Sequence, residues 1–148
     1  MSQVNYKPEG FHSVTPCLPV NGAAKLLDFL KQAFGAEELH RHLEPSGRIA
    51  YACVRIGDSM VELSDATEKW PPMPSALHVY VPDVDATHKR AVQAGGSSVQ
   101  EPTDQFYGER SSAVRDVCGN NWYIATQTEV LSKEEIEKRV ASMAGKAS

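Results

Sequence analysis

The sequence predicts an α+β fold built from two βαβββ modules, because the two halves of the chain repeat one pattern. Two apolar segments with strand character end at Val20 and Val81, which are 61 positions apart. Each is followed by a helical pattern that stops at a glycine, Gly35 in the first half and Gly95 in the second. We therefore expect two curved mixed sheets, each with a helix on one face, around a shared cleft, and one extra C-terminal helix.

The composition is that of an ordinary globular protein, and it argues against some classes of binding partner. It has 148 residues, 41% hydrophobic and 23% charged, with a net charge of −4, which suits one domain. Interspersed charges of both signs argue against nucleic acid and membrane surfaces as partners. Neither a membrane span nor a secretory signal is visible. Three widely spaced cysteines without a CxxC motif favour a cytoplasmic protein with no disulfide framework.

The first module is expected to begin after a polar N-terminal arm, residues 1–11. Residues 13–20 form the first predicted strand, and Pro16 and Pro19 remove two backbone donors, so this strand is expected at a sheet edge. Asn21 is expected to cap the helix that follows. One apolar stripe defines that helix: Ala23, Leu26, Leu27, Leu30 and Phe34.

Three further strands complete the module, predicted at residues 37–43, 48–56 and 59–64. Turns are expected at Gly47 and at Gly57-Asp58, the latter a typical two-residue hairpin signal. Residues 66–74 contain three prolines and are predicted to link the modules.

The second module repeats this order. A strand is predicted at residues 77–81, and Asp83 is expected to cap a helix whose buried face carries Val84, His88 and Ala91. The remaining strands are predicted at residues 98–101, 111–116 and 121–126. The domain is thus assigned to residues 12–130, with modules at about 12–65 and 75–127.

Residues 131–148 are predicted to form a helix and tail without a counterpart in the first half. Ser132 and Glu135 match a capping box. The apolar stripe of this helix, Ile136, Val140 and Met143, is expected to be buried across the outside of the domain or against a partner subunit.

Strand alternation predicts which side chains face the cleft, because successive residues point to opposite faces. Leu77, Val79 and Val81 are apolar and are expected under the helix. The residues between them in the strand therefore face the cleft. The same alternation identifies cleft-facing residues in the first strand and in the last strand of each module. The predicted cleft residues with functional groups are Thr15, Cys17, Glu62, His78, Tyr80 and Tyr123. A mixed polar and aromatic face of this kind is typical of a pocket for a small organic ligand.

Two other segments offer candidate side chains. At residues 105–110, Gly108 permits a tight bend, so Tyr107 and Arg110 can reach the cleft mouth, where the guanidinium would hold a carboxylate or phosphonate. The alternative is a structural salt bridge from Arg110 to an acidic residue. His40 and His42 share one strand face and are suited to a metal, but a solvated face or a dimer edge explains them equally, so they are left out of the predicted site.

Six segments together resemble the PhnB-like branch of the vicinal oxygen chelate superfamily, which includes glyoxalase, bleomycin-resistance protein and extradiol dioxygenase. The resemblance spans about residues 12–127 and implies paired βαβββ modules and a homodimer. The segments are residues 14–22 (VTPCLPVNG), 34–37 (FGAE), 55–62 (RIGDSMVE), 77–85 (LHVYVPDVD), 104–110 (DQFYGER) and 114–119 (VRDVCG).

The resemblance also implies where a metal would bind. The family's metalloenzymes place His or Glu at four positions, which are Thr15, Glu62, Ala76 and Tyr123 in this chain. Only Glu62 is a good ligand there, so no cofactor is expected. The alternative is a divalent metal (Zn, Ni, Mn or Fe) at a displaced site that uses Glu62 and His78.

Two functions follow, and the sequence leaves open whether the protein is an enzyme. The first is a small-molecule-binding protein without the usual metal site, with the ligand held by Thr15, Cys17, Glu62, His78, Tyr107, Arg110 and Tyr123. The second is an enzyme. It would be a lyase or isomerase with Glu62 as the catalytic base and a displaced metal or Arg110 stabilising the enolate, or a dioxygenase with a displaced metal. A module retained only for dimerisation is a third hypothesis.

Overall fold

Two four-stranded sheets and three helices make up the structure, a computed structural model that describes residues 4–146. The first half contains β1 (Cys17–Val20), α1 (Ala23–Phe34), β2 (Glu37–Leu43), β3 (Ile49–Ile56) and β4 (Ser59–Asp65). The second half contains β5 (Ala76–Tyr80), α2 (Val84–Gln93), β6 (Ser97–Asp104), β7 (Glu109–Arg115) and β8 (Asn121–Gln127), and α3 (Lys133–Lys146) follows.

The two sheets have the same strand order, β1-β4-β3-β2 and β5-β8-β7-β6. In each sheet the first strand of the module runs parallel to the last one, and the other neighbours are antiparallel. A parallel pair needs a crossover connection, which α1 and α2 begin and the other strands complete. The predicted α+β fold of two βαβββ modules is confirmed.

The two modules share one hydrophobic core, and α1 lies at its centre. Four members of the predicted stripe are fully buried, and so are Phe29 and Ala33, which that stripe did not include. The Ala33 carbonyl accepts a hydrogen bond from Arg90 Nε of α2 at 3.4 Å. At the end of α1, the rings of Phe34 and Trp122 lie 4.8 Å apart. A second buried side of α1 therefore packs against the second module.

The predicted cap of α1 is wrong. Gly22, with a φ of 100°, occupies the N-cap position and makes no side-chain hydrogen bond. Instead, Asp65 at the end of β4 accepts from the backbone N–H of Ala23 at 2.8 Å and from that of Ile49 at 2.8 Å. The cap comes from a residue distant in sequence, so Asn21 is not needed for it. In α2 the local cap is confirmed, because the Asp83 side chain accepts from Ala86 N at 3.1 Å.

The first strand and the last helix also differ from the prediction. β1 begins at Cys17, so residues 13–16 are not part of it. α3 begins as expected, since the Ser132 hydroxyl accepts from Glu135 N at 3.1 Å. Within the chain itself its apolar stripe is covered only in part, because Ile136 is half-buried but Val140 is 46% exposed and Met143 is 48% exposed; burial against a partner subunit stays a prediction. No helix in the described range 4–146 is long and apolar enough to cross a membrane.

Candidate functional site

One row of side chains crosses the first sheet on the face that points away from α1. Cys17 on β1 lies beside Glu62 on β4, Glu62 beside Cys53 on β3, and Cys53 beside His40 on β2. Directly opposed residues of neighbouring strands share a face. The sheet therefore presents a thiol, a carboxylate, a second thiol and an imidazole in one line.

Burial and the Glu62 carboxylate together raise the pKa values of the side chains next to Glu62 on this face. Burial first, and then interaction with the Glu62 carboxylate, raise the pKa of the Tyr51 phenol. Burial and the same negative charge raise the pKa of the Cys17 thiol and of the Cys53 thiol. At neutral pH these three neighbours are uncharged, and Glu62 is the anionic member of the group.

The influence of Glu62 on Cys17 leads to a measurable prediction. Glu62→Gln removes a negative charge beside an exposed thiol, so the thiolate fraction of Cys17 should increase. We expect the modification rate of Cys17 by a disulfide reagent at pH 7.5 to rise roughly two- to fivefold. Peptide mapping by mass spectrometry identifies the labelled cysteine. Glu109→Gln, in the second sheet, is the matched control, and an unchanged or slower rate in Glu62→Gln would contradict the assignment.

An N-terminal arm, formed by residues 4–14, covers part of the first face and leaves a cavity of about 510 Å³. The His12 ring lies 3.3 Å from the Asp58 carbonyl, which places it at the β3–β4 turn. From the sheet, the cavity is lined by His40, Tyr51 and Glu62, and Thr15, just before β1, also lines it. From the arm it is lined by Tyr6, Lys7, Pro8, Phe11, His12 and Ser13. It thus combines aromatic walls with a carboxylate and an ammonium group.

The second sheet carries an exposed aromatic face. His78 on β5 lies directly beside Tyr123 on β8, and the rings of His78 and Tyr80 are 4.7 Å apart. Tyr80 donates a hydrogen bond of 2.7 Å to the Glu109 carboxylate, and this bond is the main reason that its pKa is raised. Tyr80 is 64% exposed and Tyr123 is 44% exposed, so large ring surfaces are open to a ligand.

The first strands of the two modules border one shared depression. Cys17 and His78 line the same depression between these strands. A neighbouring cavity of about 390 Å³ is lined by Thr15, His78 and Tyr80, with Phe34 and Trp122 among its apolar residues. Thr15, Cys17 and His78 therefore lie at the junction, close to the Glu62 cavity that also contains Thr15.

The remaining two predicted site residues, Tyr107 in the loop before β7 and Arg110 on β7, do not lie on the same side of the sheet. Tyr107 is 40% exposed, and it is near enough to Tyr80 to contribute to the raised pKa of that phenol. Arg110 lies on the other side of the sheet, which α2 covers. It donates to both carboxylate oxygens of Asp85, at 2.8 and 2.9 Å, and it also pairs with Asp104. The structure thus places Arg110 in the salt bridge that was its alternative, away from the cleft mouth.

The donor set at the four family positions does not fit a metal ion. Ala76 has no donor atom, and neutral Thr15 and Tyr123 are poor ligands, so Glu62 stands alone. Within residues 4–146, no three His, Cys, Asp or Glu side chains are grouped so that they could hold a metal ion. We derive no chemical step through a metal at these positions.

Sequence reasoning missed Tyr51, His40 and the arm as parts of the site. Alternation in β3 offered a signal for Tyr51, because Ala52 and Val54 on the opposite side are fully buried in the core. The pattern of His40 and His42 on one strand face was explained equally by a solvated face or a dimer edge. The arm gave no periodic signal, since its position depends on contacts such as the one between Gly10 and the Met60 side chain.

Two βαβββ modules that present polar and aromatic side chains on their helix-free faces define a protein of the vicinal oxygen chelate class. A family model of the Glyoxalase/Bleomycin resistance protein/Dioxygenase superfamily matches residues 10–124. The chain belongs to this superfamily.

Relatives and solved structures agree with this assignment. An uncharacterized protein from Mycobacterium bovis (strain ATCC BAA-935 / AF2122/97) is 31% identical over 150 residues, covering 94% of this chain and 96% of the relative. TioX from Micromonospora sp. ML1 is 25% identical with a TM-score of 0.65, covering 82% of this chain and 100% of TioX. TnmS3, described as an antibiotic binding protein from Streptomyces sp. CB03234, is 24% identical with a TM-score of 0.63, covering 78% of this chain and 95% of TnmS3.

Proposed function

We propose that this protein binds a small organic molecule on the helix-free faces of its two sheets, without the metal site of the family's enzymes. The observation that carries the proposal is the cavity of about 510 Å³ between the N-terminal arm and the first sheet. Its size is within the range of small-molecule sites, about 300–1,000 Å³. Its mixture of rings and a few charged groups is also typical of such sites.

The chemistry of the faces indicates the kind of ligand. Tyr51 and Phe11 offer aromatic surface in the first cavity, and Tyr80 and Tyr123 offer it on the second sheet. Glu62 supplies an anionic acceptor, whereas Arg110 is occupied by Asp85 and Asp104. We therefore propose an aromatic ligand that donates hydrogen bonds or carries positive charge toward Glu62, rather than a carboxylate or phosphonate held by Arg110.

The fold neighbours are compatible with this function. TnmS3, of the same fold, is an antibiotic binding protein, so an antibiotic-like ligand is part of the proposal for this chain. Assignment to the PhnB-like branch and a homodimeric state remain predictions from the resemblance. The alternative of a lyase or dioxygenase is the weaker proposal, because Thr15, Ala76 and Tyr123 are poor metal ligands at the family positions. Arg110, the other candidate to stabilise an enolate, is engaged by Asp85 and Asp104.

Thermal-shift screening of aromatic antibiotics and natural products against the purified protein tests the proposal. A compound at about 100 times its Kd adds about 2.7 kcal/mol to stability, which corresponds to a rise in Tm of about 5–11 °C for a chain of this size. We expect at least one such compound, and Glu62→Gln and Tyr51→Ala, which change two residues of the cavity, should each reduce its affinity about tenfold.

Matched variants make this screen decisive. Glu68→Gln changes an exposed carboxylate of the linker and should leave affinity unchanged, as should Arg110→Gln once its own stability change is subtracted. A compound whose affinity depends on Arg110 but not on Glu62 would overturn the proposed orientation. Failure of every compound to shift Tm would count against ligand binding itself.

A further inference from the structure

We propose that His40 and His42 form a binding site for one divalent transition-metal ion, Zn²⁺, Ni²⁺ or Cu²⁺, on the exposed part of β2. Both lie on the face that carries Glu62, because His40 is paired with Cys53 and His42 with Tyr51. The two imidazole rings are stacked, with centroids 6.3 Å apart and an angle of 23° between their planes. Neither histidine occupies one of the four family positions, although His40 also lines the cavity proposed for the organic ligand.

The ring nitrogens of these two histidines are free to act as ligands. In the part of the chain that the structure describes, neither ring makes a hydrogen bond. His88 differs, because its two nitrogens lie 2.8 and 2.9 Å from the hydroxyls of Ser112 and Ser98. His40 and His42 are both exposed, so their side chains can turn toward a common ion.

The surrounding charges do not oppose a cation. Arg41, between the two histidines, points to the other face and pairs with Glu38 at 2.8 Å. Arg55 is on the same face as the histidines, but Glu37 neutralises it. Glu62 and Lys7 both line the cavity that contains His40, so these two charges near the rings offset each other.

Both rings must turn to share one ion. Metal–nitrogen distances of about 2.0–2.1 Å place the centroids of two imidazoles on one ion about 5 Å apart, roughly 1 Å closer than they are here. The nitrogen lone pairs lie in the ring planes, which are nearly parallel, so each ring must also change rotamer to aim a nitrogen at the ion, as exposed side chains readily do. Imidazole is a ligand suited to zinc, nickel and copper. Two protein ligands leave the other coordination positions to water, so the affinity should be moderate.

Isothermal titration of ZnCl₂, NiCl₂ and CuCl₂ into the full-length, tag-free protein at pH 7.5 tests the site. We expect saturable binding of one ion, weakened about tenfold or more in both His40→Gln and His42→Gln. His78→Gln, an exposed histidine of β5, should bind as the parent does. Circular dichroism checks that each variant is folded, and little change is expected at these exposed positions.

A second readout locates the ion directly. Paramagnetic Ni²⁺ or Cu²⁺ should broaden the ring NMR signals of His40 and His42 first, and those of His78 and His88 last. Absence of binding for all three metals would overturn the proposal. So would binding that survives in both variants, binding lost in only one of them, or binding abolished by His78→Gln, which would move the ion to the junction of the modules.

Discussion

Replacing Asp116 with alanine should lower the free energy of unfolding by about 3–5 kcal/mol. Asp116 as a whole is 6% exposed, and its carboxylate organises the turn between β7 and β8. It accepts from Cys118 N at 2.8 Å and Asn120 N at 3.0 Å, and also from Asn120 Nδ2 at 2.9 Å and Trp122 Nε1 at 2.8 Å. Alanine would leave these donors without their acceptor, and Asn120 and Trp122 are almost completely buried.

The effect should also reach β5. The Asn120 side chain that Asp116 orients accepts from Ser75 N at 2.9 Å, at the entrance of that strand. Urea unfolding measures the loss, with the m-value expected to stay constant. Asp58→Ala is the matched control, since Asp58 is exposed in the corresponding turn of the first module and should change stability by less than about 0.5 kcal/mol. If both substitutions lowered the free energy of unfolding equally, the buried hydrogen bonds of Asp116 would not be the cause of the loss.

Replacing Asp65 with asparagine should cost about 1–3 kcal/mol at pH 7 and flatten the acid limb of the stability curve. Burial opposes ionisation of Asp65, but hydrogen bonds from the Ala23 and Ile49 amides and the charge of Arg48 outweigh it. The net effect is a lowered pKa. Loss of the carboxylate weakens two interactions at once: the cap on the N-terminus of α1 and the hydrogen bond to the start of β3.

The sign of the pH effect follows from the lowered pKa. A carboxylate with a folded pKa below the unfolded value of about 3.9 stabilises the fold above that pH. The contribution disappears as pH falls through the folded pKa. The difference between the parent protein and Asp65→Asn should therefore be full at pH 7 and shrink below about pH 4. Urea unfolding at pH 7, 5, 4 and 3 measures it, and a difference that stays constant or grows toward acid would contradict this role.

Sequence reasoning succeeded where local patterns carry the information. Alternation of apolar residues gave the buried sides of β4 and β8, and Val61, Leu63, Trp122 and Ile124 are all buried as a result. Spacing of three and four residues identified α1 and α2, and Asp83 was recognised as a cap because it caps its own helix. These features depend on residues near each other in the chain.

It failed where distant residues decide the outcome. Asn21 is a good cap by type, but Asp65, 42 positions away from Ala23, holds the start of α1 instead. Arg110 was placed at the cleft because its loop is unusual. The register of β7 turns it toward α2, where Asp85 is available. Val140 and Met143 have helical spacing, yet that spacing carries no information on which surface, if any, covers them.

By itself, the sequence determined the repeat, the order of strands and helices within each module, and the buried sides of β4 and β8. Each follows from backbone geometry, because the periods of helices and strands are properties of the local chain. Only the tertiary structure decided that the arm lies over Glu62, that β1 and β5 bring Cys17 and His78 together, and that His40 lines the cavity of Glu62. These depend on how separate elements pack, and packing depends on shape and charge across the whole molecule.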